Sequence, residues 1–106
     1  MVKIMFVLHE RAGMSLRDAH TYWGTTHADI LRKVPKVKSY VQSHALTALD
    51  GAKTPVLGFA ELSFESEADY AFAMASPEMA AGFADVQNFA DETRVDAAVV
   101  RDTRAI

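Results

Sequence analysis

The sequence predicts an α+β fold in the order strand, helix, strand, strand, helix, strand. Three observations carry this. The chain opens on an apolar run from Val2 to Leu8, broken only by Lys3, of the length of a covered strand. Two stretches with apolar residues at helical spacing each begin at a serine with an aspartate three positions on, Ser15 to Asp18 and Ser66 to Asp69. Residues 37–46 and 56–64 alternate with a period of two. The unit divides into two strand-helix-strand halves. That is the ferredoxin-like βαββαβ arrangement, a four-stranded antiparallel sheet with both helices on one face.

In the first strand Val2, Ile4, Phe6 and Leu8 share one face, and Met5 and Val7 the other, so both faces are expected to be covered. Gly13 breaks the chain, and a helix follows Ser15. Its inward stripe holds Leu16, Ala19, Trp23, Ile30 and Leu31, joined by His20 and His27, until Pro35 stops it. On the second strand Val37, Ser39, Val41 and Ser43 face one way, and Lys38, Tyr40, Gln42 and His44 the other. Asp50-Gly51 and Pro55 punctuate a loop. On the third strand Val56, Gly58, Ala60, Leu62 and Phe64 alternate with Leu57, Phe59, Glu61 and Ser63. The second helix is interrupted at Ser76-Pro77, where serine can cap and proline suits the first helical position. Its second piece is expected to bury Met79, Phe83, Val86 and Phe89, and residues 93–100 form the last strand. With no repeat, low-complexity tract or linker, one domain is expected over 1–106. Helices on one face leave the other sheet face bare and, in this chain, rich in apolar residues. A homodimer through that sheet face is the expectation.

Half of the 106 residues are hydrophobic, enough for a core, and the net charge of −3 offers no attraction to nucleic acid or an acidic membrane. With no cysteine there is no disulfide or thiol chemistry, which fits a reducing compartment. The opening apolar run is shorter than a secretory or membrane-spanning segment. A cytoplasmic protein is expected. The two helical histidines lack metal-ligand spacing, no HExxH is present, and there is no glycine-rich phosphate loop or serine elbow. No metal or cofactor is expected. The basic stretch from Arg32 to Lys38 complements a helix end.

Residues 20–30, HTYWGTTHADI, hold two of the four histidines and the only tryptophan. Seven residues of helix put His20 and His27 roughly 10.5 Å apart along the axis with Trp23 between them. His20 near the helix start reads as a half-buried histidine. His27, mid-helix against a sheet, must find a partner if it is buried. Tyr40, Gln42 and His44 on one strand face read either as the polar side of an edge strand or as a pocket wall. Glu61, between Phe59 and Ser63, is either exposed or paired with a histidine or tyrosine. Should His27, His44, Tyr40 and Glu61 converge, they would make a proton-transfer site: imidazole titrates near pH 6.5, and a phenol donates to a developing oxyanion. Trp23, Phe6, Phe83 and Phe89 would wall it for a small hydrophobic or aromatic ligand.

YWGTTHADI resembles the "YW…HAPL" signature of the EthD family. MSLRDAH before it, and VPKVKSYVQSHAL, GFAELSFES, ASPE and FADVQNFADE after it, are similar to the same family. The resemblance implies a dimeric α+β barrel. It places Tyr22, Trp23 and His27 on the first helix, Tyr40, Gln42 and His44 on the second strand, and Asp85, Phe89 and Asp91 near the end. Relatives include polyketide dehydratases and methylmuconolactone isomerases, which use histidine for acid–base work without metal or cofactor. Ala19 stands where the family has phenylalanine, and Asp29-Ile30 where it has Pro-Leu.

The expected function is a cofactor-free isomerase or dehydratase acting on a small cyclic or aromatic metabolite. His27 would be the acid or base, with His44 and Tyr40 positioning or polarising the substrate. Tyr22, Trp23, Gln42, Glu61, Phe83, Phe89 and Asp91 would contact it. Two other readings are a non-catalytic dimer that binds a hydrophobic ligand for a catabolic pathway, and a monooxygenase, cofactor-free or haem-linked.

Overall fold

A computed structural model describes residues 1–106. Its elements are β1 (Val2–His9), α1 (Leu16–Tyr22), a π-helical turn (Trp23–His27), α2 (Ala28–Leu31), β2 (Val37–His44), β3 (Val56–Phe64), α3 (Glu67–Met74), α4 (Pro77–Asp85), a 3-10 turn (Val86–Asn88) and β4 (Asp96–Val100). The predicted starts of the helices are capped as their serines require. The Oγ atoms of Ser15, Ser66 and Ser76 accept from the backbone N–H groups of Asp18, Asp69 and Met79, and Pro77 occupies the first turn of α4. No helix is long and apolar enough to cross a membrane.

The strands form one antiparallel sheet in the order β2-β3-β1-β4, the ferredoxin-like arrangement that the sequence predicts. Register sets its two faces. Cross-strand rows Tyr40-Leu62-Ile4-Val99 and Gln42-Ala60-Phe6-Ala97 face the helices. Rows Val41-Glu61-Met5-Ala98 and Ser43-Phe59-Val7-Asp96 face away. Two core clusters fill the inner side. One gathers Phe64, Leu62, Leu31 and Met79; the other gathers Trp23, Phe89, Leu57 and Leu8. Phe6 and Tyr40 pack against both and so mark their junction.

Three details depart from strict periodicity. Between Val37 and Ser39 the β2–β3 register shifts, so Lys38 falls in a bulge. Lys38 therefore does not share a face with Tyr40, as even alternation predicts; it is exposed and pairs with Glu65 at 3.5 Å. The first helix is not continuous. The Ala28 N–H reaches five residues back to the Trp23 carbonyl in a wider turn, and His20 and His27 find different partners on either side of it, the Leu57 carbonyl and Asp85. The outer sheet face is also less apolar than expected. Val41 and Phe59 are exposed there, but Lys3 and Glu61 lie among them as an ion pair.

Gly58 lets the helix meet the sheet. A Cβ at this position would stand 2.2 Å from the Ser43 carbonyl oxygen and 2.8 Å from the Trp23 ring, and its φ is +154°. Gly58→Ala is expected to lower stability by about 1–3 kcal/mol, the usual cost of overpacking, by urea unfolding. A change below about 0.5 kcal/mol would show that the indole and strand shift without strain.

Candidate active site

A cavity of about 300 Å³ lies where the two core clusters meet. Its floor is the inner sheet face at Phe6, Ala60 and Leu62, and the helical layer brings Trp23, His27, Leu31 and Met79 over it. Tyr40 reaches it from β2, and Phe83, 46% exposed, stands at its rim with Glu92. The lining is apolar apart from a few polar atoms, as suits a small ring compound.

His27 is 5% exposed. Its Nδ1 lies 2.8 Å from Oδ2 of Asp85, which the same burial encloses. Asp85 Oδ1 accepts from the Tyr22 hydroxyl at 2.7 Å and from Asn88 Nδ2 at 2.9 Å. Burial alone would raise the Asp85 pKa, but the bonds from Tyr22, Asn88 and His27 outweigh it and hold the carboxyl below its ordinary range. The Tyr22 hydroxyl is pushed up because it donates to that carboxylate. An ionised carboxylate only accepts, so Nδ1 of His27 carries the proton and Nε2 keeps a lone pair. Burial holds the His27 pKa below 6.5, against the opposing pull of Asp85. At neutral pH the ring is thus a neutral base in a cavity wall, with one nitrogen tied and Nε2 bound by no protein group.

A second polar group stands beside it. Gln42 Nε2 donates to the Trp23 carbonyl at 2.8 Å and to the Tyr40 oxygen at 2.6 Å, and Gln42 Oε1 accepts from His44 Nε2 at 2.8 Å. The π turn presents that Trp23 carbonyl to β2. His44 stacks on the indole, ring centroids 4.6 Å apart and planes within 14°, and packs against His20 at 4.5 Å. Burial, and then the neighbouring His20, hold the His44 pKa down. His20 Nε2 donates to the Leu57 carbonyl at 2.9 Å. Trp23 is fully buried, and its Nε1–H meets no acceptor at hydrogen-bond distance. Such an orphaned donor costs about 1–3 kcal/mol.

The residues singled out by sequence thus divide into four groups. His27, Tyr40, Trp23 and Phe83 line the cavity. Tyr22 and Phe89 brace His27 from behind, Tyr22 through Asp85 and Phe89 by ring contact at 4.6 Å. Gln42 and His44 lie behind Tyr40 and Trp23 and do not line the cavity. Glu61 and Asp91 do not join the site. Glu61 shares the outer-face row of Met5, where it meets Lys3, and Asp91 accepts from Thr93 in a surface turn. Convergence of Glu61 with His27 is therefore corrected: β3 phasing turns Glu61 to the opposite side of the sheet. The carboxylate that meets His27 is Asp85, which the family pattern places near the end without a partner. A local signal existed, since Asp85 continues the buried α4 stripe of Met79 and Gly82, where an unpaired carboxylate would be costly. No group of three or more His, Cys, Asp or Glu side chains is arranged to hold a metal ion.

An uncharacterized 11.0 kDa protein of Rhodococcus erythropolis, from the thcB–thcC intergenic region, is 32% identical over 90 residues, 85% of this chain and 84% of that one. Among solved structures, an EthD family protein of Bacillus halodurans superposes with a TM-score of 0.79 at 17% identity, covering 97% of this chain and all of that one (100%). A dimeric protein of unknown function and ferredoxin-like fold from Bacteroides fragilis gives 0.68 at 10%, covering 95% of each. A mutant form of SnoaB, a cofactor-independent oxygenase from Streptomyces nogalater, gives 0.66 at 10%, covering 99% and 95%. At these identities the three structures speak for the fold alone. The EthD domain itself matches residues 11–93, a span that holds His27, Tyr40 and Asp85, and the chain belongs to the EthD domain family.

Proposed function

We propose that this protein is an enzyme that moves a proton on a small cyclic or aromatic compound, with His27 as the acid–base group. One observation carries the reading: a buried neutral imidazole has its Nδ1–H tied to Asp85 at 2.8 Å and its Nε2 free in an apolar cavity wall. Nε2 takes a proton from a carbon next to a carbonyl, and the imidazolium that forms is stabilised by the Asp85 carboxylate. Tyr40 donates to the oxygen on which negative charge collects. Return of the proton at another carbon is an isomerisation; departure of a β-hydroxyl, protonated as water by the imidazolium, is a dehydration. Proton abstraction is also an opening step available to an oxygenase without cofactor, the activity named for the Streptomyces neighbour. The chemistry needs no thiol, and a chain without cysteine suits a reducing cytoplasm.

The test is hydrogen exchange in D2O with a panel of small cyclic ketones and lactones, starting from 1-indanone. Deuterium should enter beside the carbonyl faster with the protein than in buffer, and His27→Gln should remove the difference. Exchange at the buffer rate across the panel would leave a ligand-binding accessory protein as the better reading.

The reading includes a homodimer formed through the outer sheet face. Phe59 and Val41 are exposed there beside Met5 and Val7, and the Bacteroides neighbour is dimeric. Phe59→Glu puts a charge in the centre of that face. It should convert a dimer to monomers by light scattering, with the far-UV spectrum unchanged. A wild-type monomer, or a variant that stays dimeric, would remove this face as the interface.

A further inference from the structure

The Tyr40 hydroxyl is held by its neighbours in an unusual state. The Trp23 carbonyl can only accept, so the nitrogen of the Gln42 amide must face it at 2.8 Å. That choice turns Nε2 toward the Tyr40 oxygen and Oε1 toward His44, whose Nε2–H pins it at 2.8 Å. The phenol oxygen therefore receives a hydrogen bond rather than giving one. Burial raises the Tyr40 pKa, and the bond from the Gln42 amide acts on it in the opposite sense. The amide N–H thus takes up acceptor capacity of the phenol oxygen. What remains is the O–H proton, which has no acceptor in the protein, on a residue that lines the cavity.

We propose that Tyr40 serves the cavity as a hydrogen-bond donor, locked by Gln42 with His44 as the residue that orients Gln42, and that the cavity selects neutral ring ligands presenting an acceptor oxygen. The class is a ketone, a lactone carbonyl or the enolate derived from one. A ring of the same shape without the oxygen leaves the Tyr40 proton unpaired. Glu92 at the rim places a carboxylate where an anionic ligand would enter, which favours the neutral members of the class. His44 is a positioning residue here. It touches the amide and the indole, not the cavity, so its contribution passes through Gln42 to the hydroxyl. This inference rests on the proposed function for the location of the ligand, not for its turnover.

The test compares 1-indanone with indane, the same bicycle without the carbonyl, by titration followed with NMR. The His27→Gln variant serves as host, so that turnover plays no part. Indanone should bind about threefold to tenfold more tightly, the range of one neutral hydrogen bond. Gln42→Glu replaces the amide nitrogen with an acceptor of the same shape, to which the Tyr40 proton turns. In that variant the preference for indanone should vanish while indane affinity holds, which a general loss of fold would not produce. Tyr40→Phe should give the same pattern. Equal affinities of the host for both compounds, binding of neither, or a preference that survives Gln42→Glu would overturn the proposal. Proton exchange by the wild type, read separately, stands or falls on His27.

Discussion

His27→Gln is expected to lower protein-catalysed proton exchange about 10²–10⁴-fold, the usual contribution of a positioned general base. Asp85→Asn should fall nearly as far, although its side chain never touches the cavity. The Tyr22 hydroxyl needs an acceptor, so the oxygen of the new amide would stay with Tyr22 and its NH2 would face His27. An N–H aimed at Nδ1 forces the ring into the other tautomer, with its proton on Nε2 and no lone pair toward the ligand. The imidazolium would also lose its counter-charge. Tyr22→Phe removes one hydrogen bond from the carboxylate and keeps the tautomer, so its loss should be much smaller. Equal rates for Asp85→Asn and wild type would break the assignment of Asp85 as the partner of His27.

The pH dependence has a definite sign. In the proposed reaction neutral His27 is the active form, and burial holds its pKa below 6.5. Exchange should be constant through neutral pH and fall only in an acid limb below 6.5. Stability follows the same direction. The unfolded chain takes up a proton at His27 near pH 6.5 while the folded chain resists it, so stability is lost as pH falls from 6.5 toward the folded value. Asp85, held below its ordinary 3.8, adds stability that is present above 3.8 and lost as pH falls through its lower folded value. Thermal unfolding should show both losses, and His27→Gln should flatten the first. An acid limb lying above pH 6.5 would contradict the burial of the imidazole.

The largest stability effect is expected at Trp23. It is fully buried, stacked on His44 at 4.6 Å and on Phe89 at 5.9 Å, and laid against Gly58. Trp23→Ala should cost about 3–5 kcal/mol, from lost burial and the void left behind. At about 4–8 °C per kcal/mol for a chain of this size, that is enough to threaten folding near body temperature. Phe83→Ala removes a side chain that is 46% exposed and should cost far less. A Trp23→Ala loss below about 1.5 kcal/mol would mean that the second core cluster closes over the gap.

The sequence by itself determined the order of the elements, the serine caps, the proline start of α4 and the membership of His27 in a helix. Each depends on residues within a few positions of one another, where capping, proline geometry and alternation act without help from the rest of the chain. The family resemblance also pointed to Tyr40, Gln42 and His44 on one strand and to Asp85 near the end. Tertiary structure decided where those side chains meet. A π turn after Trp23 separates His20 from His27, and a bulge at Lys38 turns that lysine away from Tyr40. Each is a shift of one residue, invisible to a pattern that tolerates a single exception, yet it changes how the residues on its two sides line up. The partner of His27 was decided the same way. The helical stripe of Met79, Gly82 and Asp85 marks a carboxylate on a buried face, but residue order alone does not say whether it or Glu61 meets His27. Only the packing of α4 across the first helix brings Asp85, 58 residues from His27, to 2.8 Å, while the pleat of β3 carries Glu61 to the far side of the sheet.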